Sequence, residues 1–299
     1  MIPVLARTRV GLAAARRGLG SPVVLVPTMG ALHEGHRALL RRGQDLSGPN
    51  GSVVVSVFVN PLQFGAGEDF EKYPRTLQED VAVCGEEGVD LVFAPDRAQV
   101  YPAGQMVTVD PGPMGQVLEG AFRPGFFTGV LTVVLKLLEM ARPDVAVFGE
   151  KDAQQLALVR RMTEDFVLGI EIAGVPTVRD PDGLAVSSRN RYLSAVEREA
   201  ALSLSAALRA GRAAAPNGPA GVLKAAHQVL DAVPALHPDY LALVDPATFE
   251  QVGEHASGPA LLLVAARVGA TRLIDNTPLD LGGQPDQRGQ PDQRGLSCC

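Results

Sequence analysis

The sequence predicts an α/β protein, a doubly wound parallel sheet followed by a smaller α+β domain. Two observations carry that expectation. Short apolar runs alternate with helical stretches through the first two thirds of the chain, and such alternation builds a parallel sheet with helices on both faces. Beyond Val178 the pattern changes to Ala-rich helices and then late strands.

The elements follow in order. The opening twenty residues are basic but lack a long apolar core or a cleavage site, so they read as a short helix leading into the first strand, not as a signal peptide. Residues 23–26 form that strand, and an Arg- and Leu-rich helix over 36–44 follows. A second buried strand spans 52–59, then a helix over 75–88 and a strand over 89–93. Residues 129–142 carry helical apolar spacing and stop before Pro143. A strand over 145–148 ends at Gly149, and a helix covers 153–166. The second domain begins between Thr177 and Ala195. It holds helices over 195–214 and 220–233, split by a Pro/Gly break, and strands at 240–244, 261–268 and 272–275. From Gly282 the near-tandem repeat Gly-Gln-Pro-Asp-Gln-Arg-Gly offers nothing apolar to bury and reads as a disordered tail.

Composition narrows the function. At 299 residues and 46% hydrophobic the chain can bury a sizeable core. A net charge of −6 argues against a nucleic-acid surface. No run of about 18 apolar residues suggests a membrane span. Cys84, Cys298 and Cys299 match neither a disulfide framework nor a zinc spacing, which points to a reducing cytoplasm and no protein-held metal. Gly-x-Ser-x-Gly and Walker-type patterns are missing, so hydrolase and P-loop chemistries are disfavoured.

Chemistry concentrates at the ends of the predicted strands, where ligands of such sheets bind. The run Pro27-Thr28-Met29-Gly30-Ala31-Leu32-His33-Glu34-Gly35-His36 leads from a strand into a helix. A helix N-terminus favours an anion, and two imidazoles there can donate to phosphate oxygens. Gly30 and Gly35 allow close backbone approach. A single histidine at such a place would more simply cap or pack locally; the pair around Gly35 favours a nucleotide. Asn60 and Gln63 end the second buried strand and suit a ligand bearing hydroxyls and a carboxylate, although Asn-Pro alone signals only a turn. Gly149-Glu150-Lys151-Asp152 follows the next strand, with Lys151 a cation for phosphate and a capped surface helix as the competing reading. Val186-Ser187-Ser188-Arg189 could close over the β- and γ-phosphates, or be an ordinary loop ahead of a helix capped by Ser194. Arg123 could meet a carboxylate or a phosphate.

Taken together, the segments 27–36, 56–64, 73–80, 148–156, 174–193 and 263–276 resemble the pantothenate synthetase family, ligases that join pantoate to β-alanine at the expense of ATP. The likeness covers about residues 20–280. It implies a Rossmann-like nucleotide- and pantoate-binding domain over 1–178 and a C-terminal lid domain over 179–281. It implies an ATP site made by Met29, Gly30, Ala31, Leu32, His33, Glu34, Gly35 and His36, by Gly149, Glu150, Lys151 and Asp152, and by Val178, Val186, Ser187, Ser188 and Arg189. By the same resemblance His36 is the acid catalyst and His33 its partner, Lys151 and Arg189 assist, and Gln63, Gln155 and Asn60 hold pantoate and β-alanine. Mg²⁺, a homodimer and an enzyme-bound pantoyl adenylate are further implications. One departure stands out: Phe126 occupies a position where the family usually has His, which predicts altered β-alanine or phosphate affinity. Two rivals are an adenylyl-transferring enzyme of the same superfamily and a degenerate paralogue that binds without catalysis. The paired glutamines disfavour the first, and intact His33, His36, Lys151 and Arg189 disfavour the second.

Overall fold

The computed structural model describes residues 2–65, 70–102 and 107–282. The predicted tail, with Cys298 and Cys299, lies outside them. Six strands, β1 (Val4–Ala6), β2 (Val23–Thr28), β3 (Ser52–Val57), β4 (Leu91–Phe93), β5 (Val145–Gly149) and β6 (Glu171–Val175), form a parallel sheet in the order β1-β4-β3-β2-β5-β6. The helices between them are α1 (Arg9–Arg16), α2 (Glu34–Ser47), α3 (Leu77–Glu86), α4 (Arg97–Val100), α5 (Glu119–Phe122), α6 (Phe126–Ala141) and α7 (Ala153–Asp165).

Strand alternation divides the core between the two sheet faces. Val23, Leu25, Val54 and Phe93 pack with Leu12 of α1 and with Val134, Leu138 and Val159 of α6 and α7. Val24, Val26, Val53 and Val55 face Leu40 of α2 and Cys84 of α3. Each such side chain contributes roughly 1.5–3 kcal/mol of burial. Because β2, β3 and β4 run one way across the sheet while β5 and β6 run the other, strand order reverses between β2 and β5. A crevice opens at that point in folds of this kind.

The smaller unit holds α8 (Ala195–Ala213), α9 (Gly218–Asp231) and an antiparallel sheet of β7 (Leu236–Val244), β8 (Gly258–Val268) and β9 (Thr271–Leu281). Leu204, Leu208, Val222 and Leu230 of its helices cover one face, against Leu262, Val264 and Ala266. The other face, with Ala242, Val244, Leu261 and Leu263, packs on Leu118, Ala153 and Ala157 of the first unit.

Two details differ from the expectations drawn from sequence, and a third element lies outside them. The opening is not purely helical: Val4–Ala6 pairs with Leu91–Phe93 as an edge strand before α1. Helix α6 begins at Phe126 rather than residue 129, because Gly125 turns left-handed (φ 81) ahead of it. Strand β6, with a glycine and a glutamate in five residues, has little strand character of its own and is set by pairing with β5.

Candidate active site

The carboxyl ends of β2, β3 and β5 open into a cleft of about 1030 Å³, whose opposite wall comes from β9. It is lined by Met29, His33, Gly35, His36, Asn60, Gln63, Gly149, Lys151, Asp152, Gln155, Val178, Val186, Ser187, Ser188 and Arg189. Residues spread over more than half the chain therefore converge as expected.

The turn from β2 to α2 is held from below. The buried carboxylate of Asp80 on α3 accepts from the backbone N–H of Ala31 (3.2 Å) and of Leu32 (2.8 Å), and from the Thr76 hydroxyl (3.3 Å). Gly30, at φ 81, makes that turn. His33 is the N-cap of α2. Its ring lies 4.0 Å from that of His36, centroid to centroid. A Cβ at Gly35 would stand 3.0 Å from the His33 ring, so a glycine there makes room for the pair. The backbone N–H of His33 donates to His36 Nδ1 at 3.2 Å. A neutral His36 accepting there carries its proton on Nε2, which becomes a fixed donor. His33 Nδ1 is buried with no partner among the described residues.

Burial, then the nearby charges of Lys151 and Arg191, lowers the His33 pKa to about 4. Burial, then His33 itself, lowers that of His36 to about 3. Both imidazoles are therefore neutral at pH 7, and His36 presents a neutral donor on the cleft wall. Unfolded, each would titrate near 6.5. Between that value and the lowered ones the unfolded chain binds more protons, so stability falls as pH drops through this window. A His33→Gln, His36→Gln double variant should lose less stability than wild type between pH 7 and 4, as read by urea denaturation. Parallel losses would contradict the buried neutral pair.

The second wall is the turn 60–63. Asn60 is 1% exposed. Its Nδ2 donates to Gln63 Oε1 and to the Gly129 carbonyl, both at 3.0 Å. Its Oδ1 accepts from Leu62 N (3.2 Å) and the Tyr101 hydroxyl (2.7 Å). All four hydrogen-bonding positions of that amide are thus occupied, and Asn60 acts by orienting Gln63. A Cβ at Gly129 would overlap the Leu62 carbonyl, which is how α6 comes to lie against this turn. Phe126 also lines the cleft. Its ring lies 3.7 Å from the Arg123 guanidinium, a cation–π contact, and Arg123 Nη2 donates to the Gln63 carbonyl at 3.0 Å. In this chain the aromatic ring supports the arginine that grips Gln63.

On the third side, residues 150–152 form a single 3-10 turn carrying Lys151 and Asp152. The strap across the mouth is pinned by a bridge between Arg179 and Ala185 and by Val186 N donating to Val178 O at 2.9 Å. Ser187 Oγ then accepts from Arg189 N.

Other residues expected at the nucleotide have neighbours within the protein. Ala31 and Leu32 give their backbone N–H groups to Asp80. Glu34 pairs with Arg41 at 2.6 Å, and the Glu150 carboxylate lies beside Gly174.

Several site residues carry no signal in the sequence. Glu119 is buried and pairs with Arg272 at 2.7 Å, while Arg272 also meets Asp239 at 2.6 Å. Gln154 donates to the carbonyls of Met114 and Val117 and accepts from Glu119 N, so its amide is spent within the protein, while its neighbour Gln155 lines the cleft. Asp80 and Asn276 sit inside recognised motifs, yet nothing in their neighbours' sequence says what they bond.

Comparison with known proteins agrees with this fold. Residues 4–278 match the Pantoate-beta-alanine ligase family. The pantothenate synthetase of Thermobifida fusca is 60% identical over 289 residues, covering 93% of this chain and 96% of that protein. The Thermus thermophilus pantothenate synthetase superposes with a TM-score of 0.85 at 47% identity, covering 92% of this chain and 98% of that one. A Francisella tularensis pantoate-beta-alanine ligase, solved in complex with beta-gamma ATP and β-alanine, gives a TM-score of 0.76 at 32% identity, over 92% and 97% of the two chains. With its parallel sheet, switch-point cleft and histidine pair matched over nearly its whole length, this chain belongs to the pantoate–β-alanine ligase family.

Proposed function

We propose that the chain condenses pantoate with β-alanine at the expense of ATP, through a pantoyl adenylate held in the cleft. The observation that carries the reading is the convergence of the His33–His36 pair, Lys151, the 187–189 strap and the glutamines Gln63 and Gln155 in one cavity. A pantoate carboxylate oxygen attacks the α-phosphorus of ATP, and pyrophosphate leaves with the electrons of the broken P–O bond. The β-alanine amine then attacks the acyl carbon, the C–O bond to AMP breaks, and the amine proton passes to solvent. Neither step needs a covalent nucleophile from the protein, so positioning and charge stabilisation carry the work. His36 donates to the phosphates from the N-terminus of α2, where the helix dipole also favours the anion. Lys151 and Arg189 add positive charge as pyrophosphate departs. The second unit keeps water from the mixed anhydride.

Among the described residues no three His, Cys, Asp or Glu side chains form a metal cage. Magnesium suits this cleft in another way, because it retains water and binds through one or two carboxylates plus substrate phosphates. Asp152 is the carboxylate on the nucleotide turn that would face it, and the ion supplies charge neutralisation on the triphosphate. A homodimer and a cytoplasmic setting complete this reading.

The test is pyrophosphate release by purified protein with ATP, Mg²⁺ and pantoate, with and without β-alanine. Steady release requiring both substrates, with AMP and pantothenate formed together, is the expected result; nucleotide binding without release would favour a degenerate paralogue. Gln63→Ala should raise the pantoate Michaelis constant at least about tenfold and leave that for ATP nearly unchanged, the signature of lost uniform binding. An unaltered pantoate constant would remove Gln63 as the clamp.

A further inference from the structure

We propose that Asp275 and Asn276 on β9 are positioning residues for the triphosphate: from the smaller unit they brace both backbone segments that bear its cations. The proposal rests on the ligase function proposed for the cleft. Segment 263–276 has no part in the two chemical steps of that reaction, yet nine of its residues line the cleft, Asp275 and Asn276 among them.

Asn276 is buried, and its side-chain amide donates to the carbonyls of Glu150 and Lys151, each at 2.9 Å. One amide thus fixes two adjacent peptide planes in the turn from which Lys151 projects. Asp275, 3% exposed, receives both arms of the Arg179 guanidinium at 2.7 and 2.9 Å. Arg179 Nη1 also donates to Gly183 O at 3.2 Å, and Arg179 bridges Ala185, so this ion pair holds the strap that leads into Ser187 and Arg189. The two braces share one backbone: Asn276 N donates to Asp275 Oδ1 at 2.8 Å. Strand β9 is itself paired along its full length with β8, which makes it a rigid mount. A bidentate pair and a two-handed amide on such a mount hold the Lys151 turn and the Arg189 strap at a constant separation. A shift of one ångström in groups that clamp a reacting phosphate can cost about 10²-fold in rate.

The experiment separates the two half-reactions in full-length Asn276→Ala, Asn276→Asp and Asp275→Asn enzymes. Single-turnover pyrophosphate formation from ATP and pantoate reads the first. Amide formation from supplied pantoyl adenylate and β-alanine reads the second, which involves no triphosphate. Adenylation should fall roughly 10–100-fold, with the second half-reaction within about twofold of wild type. Asn276→Asp keeps the volume but turns acceptors toward two carbonyls, so it should be no better than the alanine variant. Rescue by aspartate, equal losses in both half-reactions, or wild-type adenylation in all three would overturn the proposal. Should Asn276→Ala fail to fold, the other two variants carry the same comparison. Calorimetric binding of ATP needs no turnover. There the variants should be weaker by about tenfold, and this reads the brace even if the wild type forms no amide and the ligase reading itself fails.

Discussion

Replacing His36 with alanine should slow adenylate formation by roughly 10²–10³-fold, the scale for losing a donor whose bond strengthens as charge builds in the transition state. The structure says why the loss should be that large. His36 is held by the His33 backbone N–H at Nδ1 and by ring contact at 4.0 Å, so its donor is fixed before the nucleotide arrives. Because burial has already lowered its pKa to about 3, the group works as a neutral imidazole, and rate should not track a titration near 6.5. Single-turnover pyrophosphate formation, measured at several pH values, checks both points. Near-normal rates in the alanine variant would take His36 out of the reaction.

Glu119→Ala should destabilise the fold by about 3 kcal/mol, the lower end of what breaking a buried ion pair costs, since Arg272 would keep Asp239. Both Glu119 oxygens accept from Arg272 at 2.7 Å, and the Tyr240 hydroxyl donates to one of them at 2.9 Å. Truncation takes the bidentate partner from the Arg272 guanidinium and the acceptor from a phenol, in a site where burial already pushes the Tyr240 pKa upward. Glu119→Gln, which keeps an acceptor for Tyr240, should cost less. Urea denaturation of both variants decides it: a loss under about 1 kcal/mol would reclassify the pair as a surface contact. The pair also joins the two units across the cleft, so the alanine variant should weaken ATP and pantoate binding together.

Much of this molecule is legible in its amino-acid order. Strands β2, β3 and β5 are short apolar runs followed by polar turns, and the motifs at their ends do meet in one cleft. The cores are legible too, because alternate residues of β2 face opposite helix layers. What escapes is weakly patterned. Val4–Ala6 is too short to carry a period and is a strand because Leu91–Phe93 lies beside it. Strand β6 owes its form to β5 in the same way.

Within the site the division is sharper. Residue order alone dictates which side-chain types are offered to the cleft and on which local element each stands: two histidines opening a helix, a lysine in a turn, a serine and an arginine in a strap. Tertiary contacts settle which polar groups remain for a ligand. Asn60, Gln63, Gln154 and Gln155 all line the cavity, but Asn60 is consumed by four partners and Gln154 by two carbonyls and a backbone N–H, while the Gln63 amide meets Asn60 and Met29. They also settle that Asn276 bonds a turn 126 residues earlier in the chain. Periodicity reports only burial and local geometry, and a hydrogen bond to a distant backbone carbonyl imposes no pattern on the residues around either partner.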